Sequence, residues 1–453
     1  MSPPHGLSQV FRHAEFRALW AAELLSIVGD QLARVGLAVL VYGRTGSAAW
    51  AALTYALTFL PAMAGGVLLG RLADRYRRRE LMVLVDLLRA ALVGLMALPG
   101  MPLWLLCALL VVVVAAGPPH AAAQGALLPE VLGPRFEAGL AVRQITSQTG
   151  QLVGFGLGGA ALAVVSPSVA LAADALTFAV SAVLLRYGLR DRPVAGPVTE
   201  PGAVAAAEPA AGGGSAPVDG PAAARGPGRA GGPVPRPGVL AEWYADTRDG
   251  LRAVAANPSR RVLAGLVWLV GCYVVPEGLA APYAAQLDGG PAVVGLLMAA
   301  DPAGSVLGAW LITRLVPARL RPRLVGGCAV AGGLALGGCL AGPGLFGSVL
   351  LWGVSGLFSS ACLVQAQASF VMATPDELRG RAIGVAAAGL IAAQGVAILL
   401  AGVLAEWLGA RVTVGVTGLV GALVAGVLAW RWWRAAAGAE GIGTGGVPIS
   451  RGG

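Results

Sequence analysis

The chain has 453 residues, 57% of them hydrophobic and only 12% charged, with a mean hydropathy of +0.74. That excludes a soluble globular domain, in which about a quarter of residues are charged. The formal charge of +9 comes wholly from arginine, and without a lysine the chain has neither a Walker-type ATP site nor a Schiff-base nucleophile.

Apolar runs of about 20 residues recur along the sequence, each long enough to cross roughly 30 Å of hydrocarbon as a helix. An amphipathic lead from Val10 to Trp20 opens the chain and overlaps the first span, Phe16–Val41. The next spans are Ala48–Leu69, Leu81–Leu98, Leu103–Leu128, Ala138–Val165 and Val169–Tyr187. After a polar interval come Val262–Gln286, Ala292–Thr313, Leu324–Ala341, Leu345–Met372, Leu378–Glu406 and Val412–Trp430. Pro and Gly mark breaks at Pro99-Gly100-Met101-Pro102, Ser166-Pro167 and Gly342-Pro343-Gly344. The fold class is therefore an all-α membrane protein of twelve transmembrane helices, six in each half.

Alternate loops hold almost all the arginines, from Arg12 and Arg17 through Arg71–Arg79 and Arg186–Arg261 to Arg431 and Arg434, while the others hold only Arg44 and Arg411. The positive-inside rule then predicts that both termini and the central loop are cytoplasmic. This asymmetry, rather than nucleic-acid binding, explains the positive charge. The N-terminus lacks a small-residue cleavage site after its apolar run, so the first span is expected to be retained.

The organisation expected is a six-helix unit over 1–192, a linker over 193–238, an amphipathic helix over 239–258, a second six-helix unit over 259–434 and a disordered tail over 435–453. The linker is almost wholly Ala, Gly and Pro and cannot bury enough apolar surface to fold. In the amphipathic helix Leu240, Trp243, Thr247, Leu251 and Val254 share one face, with Trp243 expected in the headgroup layer. The five cysteines lie inside apolar runs without metal-ligand spacing, so neither a metal nor another cofactor is implied.

Ionisable groups at membrane depth cost about 2.5–3.5 kcal/mol each on insertion scales and so need a reason. In the first span Glu23, Asp30 and Arg34 share one helix face, and Asp30 and Arg34 are spaced to pair. Asp30 either takes a proton or holds a cationic substrate, or else forms a fixed salt bridge with Arg34. Glu23 is expected to face the inner vestibule. Gln148, Gln151, Asp301 and Gln394 are further midplane candidates. Asp174 and Glu277 also lie in spans, Glu277 after a kink at Pro276. His120 can titrate near neutrality, with Gln124 one turn on as its expected partner. Asp86 and Arg89 are read as a tether for the preceding loop.

That loop, Gly70-Arg71-Leu72-Ala73-Asp74-Arg75-Tyr76-Arg77-Arg78-Arg79, is short, arginine-dense and holds one acid. It resembles the signature loop of the major facilitator superfamily, with Arg77 at the usual glycine. Ala64-Gly65-Gly66 aligns with Ala303-Gly304-Ser305, and Gly159 with Gly402, as two repeated halves of such a transporter require. Thr374-Pro375-Asp376-Glu377 has the form of a capping box starting the eleventh span. In the resembled family the loop aspartate docks there, which implies a conformational gate of Gly70, Asp74, Arg75 and Arg78 against Asp376 and Glu377.

Phe16-Arg17-Ala18-Leu19-Trp20, Ser26-Ile27-Val28-Gly29-Asp30-Gln31 and Pro375-Asp376-Glu377-Leu378-Arg379-Gly380-Arg381 are similar to the branch of macrolide and enterobactin exporters. The branch's Gly-Pro element is here Gly154-Phe155. The resemblance implies proton-coupled export of amphiphilic small molecules across the plasma membrane by a monomer, with no ATP and no nucleic acid. A dedicated exporter of one natural product or siderophore is the alternative. Remote alternatives are a non-transporting sensor and an intramembrane serine protease, the latter resting on Gly353-Val354-Ser355-Gly356 with His120 as base.

Overall fold

The structure, a computed structural model, describes residues 7–70, 72–192, 239–317 and 319–442. The expected linker 193–238 and the end of the tail lie outside the described residues, as do the side chains of Asp74 and Asp376. Among the described residues there is no strand. Ten helical runs are long and apolar enough to cross a membrane. One of them, Leu103–Leu162, spans 60 residues and is divided by the turn Gly133–Arg135. The charged helix Arg78–Met96 lies outside those ten runs and completes the set of twelve spans.

The first half comprises α1 (Ala14–Thr45), α2 (Ala48–Leu69), α3 (Arg78–Met96), α4 (Leu103–Ala115 and Gly117–Leu132), α5 (Phe136–Leu162) and α6 (Pro167–Gly188). The second comprises α7 (Pro258–Gly278, extended by Ala280–Ala285), α8 (Pro291–Arg314), α9 (Arg321–Ala341), α10 (Gly344–Met372), α11 (Asp376–Leu408) and α12 (Ala410–Ile442). With an even number of spans, the described chain starts and finishes at one end of the bundle, the near end. Proline shapes the spans: α2 breaks around Leu57–Phe59 ahead of Pro61, and α7 is irregular around Pro276.

Two departures from expectation have local causes. Helix α12 runs on to Ile442, past the boundary expected at 434, because Ala435-Ala436-Ala437 and Ala439 favour helix. Thr374 does not cap α11: its hydroxyl donates to the Phe370 carbonyl at 2.7 Å, and the helix begins at Asp376 behind Pro375.

Within a bilayer, helices associate through close packing rather than water exclusion, and small residues permit it. Gly150, Gly154 and Gly158 of α5 sit one turn apart against Ile27, Gln31 and Leu32 of α1, whereas Gly156 faces open space. Gly65 of α2 meets the backbone of Ala115 in α4, and Gly304 of α8 meets that of Gly353 in α10. The second half is further held by Trp352, packed edge-on to Tyr283 at 5.2 Å, whose hydroxyl shares a 2.8 Å hydrogen bond with Ser348.

The halves meet at the far end. Gly159 of α5 faces Gly295 of α8, and Gly402 of α11 faces Ala49 and Ala52 of α2. Tyr55 of α2 donates its hydroxyl to Glu277 of α7, and Ser47 donates to Glu406 of α11 at 2.5 Å. At the near end, the helix Val239–Ala255 lies against α11 and reaches α2. Arg381 of α11 holds it through Asp246 at 3.0 Å and Asp249 at 3.6 Å.

Candidate functional site

A cavity of about 1110 Å³ opens among α1, α2, α3, α4 and α6, with Trp243, Ala388 and Ile391 on its second-half side. Its wall is apolar except for a few groups: Thr58 and four charged side chains, Asp30, Arg34, Arg89 and Asp174. Trp243 thus contributes to the wall of this cavity.

The partners of these groups differ from the spacing-based expectation. Asp30 pairs across helices with Arg89 of α3 at 3.3 Å, not with Arg34. Arg89 is further placed by the Phe178 ring, 4.1 Å from its guanidinium carbon, so a cation on one side chain is held by a carboxylate and an aromatic face. Arg34 instead lies 5.9 Å from the Phe59 ring, and among the described residues no carboxylate approaches it within 4.0 Å. Asp174 is 2% exposed; the Thr177 hydroxyl lies 3.2 Å from its Oδ1, and Gly29 leaves room for both.

Two polar clusters lie off the cavity wall. Glu23 accepts two hydrogen bonds from Arg143 Nε and one from its Nη2 at 2.7–3.0 Å, and the same guanidinium reaches Gln124 at 3.1 Å. Glu23 is thus paired with Arg143, and Gln124 serves Arg143 rather than His120. His120 faces the buried Asp86 at 3.3 Å, and the Ser181 hydroxyl donates to the other Asp86 oxygen at 2.6 Å. Asp86 and Arg89 consequently do not tether the loop, since each has a different partner in the helical core. Arg143 was not among the sequence candidates, although an arginine inside an apolar run was a usable signal for a buried acid such as Glu23.

The remaining candidates do not line the cavity. Gln151 contacts Ser147 at 3.4 Å and Gln148 at 3.5 Å along α5. Asp301 sits where α8 crosses α10, with Gly356 against it, and Gln394 packs beside Gly271 of α7. Ser355 is 1% exposed in α10, and Gly353 and Gly356 beside it pack against α8. His120, the base a serine nucleophile would need, is engaged by Asp86 in the other half.

The arginine-rich loop is tied to its own half. Arg77 and Arg79 reach Asp191 at 2.7 and 3.4 Å, and Arg78 pairs with Glu130 of α4. Gly70 is tight against the Gly66 carbonyl, and Arg75 ends a short helix, Leu72–Arg75.

Comparisons with known proteins agree with this architecture. No curated protein matches the chain. Among solved structures, the fold is like that of a bacterial homologue of the human lysosomal transporter Spinster in an inward-facing, unoccupied conformation. That likeness has a TM-score of 0.63 and 14% identity over 96% of this chain and 99% of the other. The nucleoside transporter NupG is similar at a TM-score of 0.63 and 14% identity, covering 92% and 99% of the two chains. The peptide transporter POT in complex with sulfate is similar at 0.63 and 15% identity, covering 93% and 95%. Residues 19–276 and 263–446 both match the Major Facilitator Superfamily, so the chain belongs to that family and is a multi-pass membrane transporter.

Proposed function

We propose that this transporter exports amphiphilic small molecules from the cytoplasm by proton-coupled alternating access. The observation that carries the reading is the large apolar cavity with the Asp30–Arg89 pair on its wall, in a bundle whose halves touch at the far end. An apolar wall with a few fixed charges suits an amphiphile. On this reading the arginine asymmetry puts the near end in the cytoplasm, and the transporter is a monomer of the plasma membrane in an inward-open state. Asp30 is the residue whose protonation releases Arg89 and links proton entry to substrate exit.

The gate works between states. With the near end open, Arg78 rests on Glu130; when the near end closes, the loop docks Asp74 on the start of α11, where the helix N-terminus favours an anion. Arg75 then reaches Glu377 or Asp376. Asp74→Asn is expected to slow transport and leave substrate binding intact, measured as flux against equilibrium binding; unchanged turnover would remove the gate. A dedicated exporter of one natural product or siderophore is favoured instead if flux is confined to one compound, since the Phe16–Trp20 and Pro375–Arg381 segments resemble that branch as well.

Proton-gradient-driven accumulation of amphiphilic dyes in inverted vesicles tests the coupling. Wild type should accumulate a dye, an uncoupler should stop it, and Asp30→Asn should fail. Accumulation that ignores the uncoupler contradicts the reading.

A further inference from the structure

The wall of the cavity is not electrically even. Asp30 is engaged by Arg89, which is itself stacked on Phe178. Asp174 is nearly sealed and has the Thr177 hydroxyl beside it. Glu277, a second-half acid whose field reaches Arg34, is engaged by the Tyr55 hydroxyl across the halves. Arg34 is the cavity's remaining charge; among the described residues it has neither an ion pair nor a hydrogen bond, the face of Phe59 lies 5.9 Å away, and the field of Asp174 reaches it as that of Glu277 does.

An arginine at membrane depth without a carboxylate partner is costly to keep. Arg34 is also only half-buried: it is open to the cavity, not packed into the core. A guanidinium presents a planar fork of donors that matches an oxyanion bidentately, which neither Phe59 nor the aliphatic wall can supply. Elsewhere the wall of the same cavity offers Leu37, Met63 and Val67, which suit a hydrocarbon or ring body.

We propose that Arg34 is the anion-binding residue of this cavity and that the transported molecule is an amphiphile bearing a carboxylate or chemically similar oxyanion next to an apolar body. The proposal rests on the transport reading for the word transported, but the site stands or falls by binding alone. The two arginines thereby divide their roles. Arg89 is held by Asp30 and Phe178, whereas Arg34, with no ion pair or hydrogen bond among the described residues, takes the ligand.

The test uses the full chain in phosphatidylcholine nanodiscs, with dansylaminoundecanoic acid and its methyl ester as fluorescent probes. Wild type should bind the acid about tenfold or more tightly than the ester, the scale of a hydrogen bond to a charged group. Arg34→Gln should erase that preference while leaving ester binding unchanged, and Arg34→Lys should keep part of it. Thr58→Asp, on the wall of the same cavity, keeps Arg34 and adds a carboxylate to that wall, so it should weaken the acid and spare the ester. It serves should Arg34→Gln not fold. Equal binding of acid and ester by wild type overturns the proposal, and so does a preference that survives Arg34→Gln. Flux of both probes in proteoliposomes separates the two readings. Arg34-dependent binding without any flux keeps the site and removes transport, and dye flux without Arg34-dependent binding does the reverse.

Discussion

Asp30 and Arg34 stand one helical turn apart on α1, yet Asp30 is paired with a residue of α3, and Arg34 has no ion pair among the described residues. Spacing on one helix makes a pair geometrically available but does not decide against a tertiary competitor. Here Arg89 enters from α3 with Phe178 behind it and wins the carboxylate. The same logic separates His120 from Gln124: Asp86 has 0% exposure, the Ser181 hydroxyl donates to one of its oxygens and His120 lies 3.3 Å from the other, while Gln124 turns to Arg143. The sequence made the cost of each buried ion legible but not its partner, because partners come from helices dozens of residues away. Glu23 and Arg143, 14% and 22% exposed, should be strongly coupled. In a double-mutant cycle with Glu23→Gln and Arg143→Ala, unfolding of the purified protein should show an interaction of about 1–3 kcal/mol. Additive effects would mean that the pair contributes nothing of its own.

At the scale of helices, more was readable. The apolar runs located the spans, and the matched glycines located the repeat. Gly65 and Gly304 perform the same job in the two halves, each bringing a helix backbone onto its neighbour. Gly159 and Gly402 likewise match, each facing the opposite half across the far end. Such matches survive in sequence because a backbone contact tolerates no side chain. Charged surface contacts leave no comparable trace, which is why the Arg78–Glu130 pair and the Arg381 contacts with Asp246 and Asp249 were not anticipated. Gly304→Val should therefore destabilise the protein by about 1–3 kcal/mol or more through overpacking. Gly156→Ala, which meets open space, should be silent in the same thermal-unfolding assay. Equal tolerance of both would mean that the α8–α10 contact is not tight.

At the scale of the whole molecule, the far-end contacts and the helix Val239–Ala255 set the state. Transport by alternating access requires the near-end parts of α2 and α11 to approach as the far ends part. The helix Val239–Ala255, which touches both α11 and α2, must then shift. Its tie through Arg381 is half exposed and worth no more than about 1 kcal/mol. Arg381→Glu should accordingly move the balance of states by a few-fold without unfolding the bundle, a change readable as altered populations at the near end.

Alternation of one bundle between two states can be tested without knowing the substrate. Pulsed electron spin resonance would measure two label pairs on exposed positions in a cysteine-free background. One pair replaces Trp50 and Trp407 at the far end, and the other replaces Leu68 and Ile383 at the near end. Between pH 5 and pH 9 the far-end pair should gain a longer-distance population as the near-end pair gains a shorter one. A single unchanging distance at both ends across that range would contradict proton-linked alternating access.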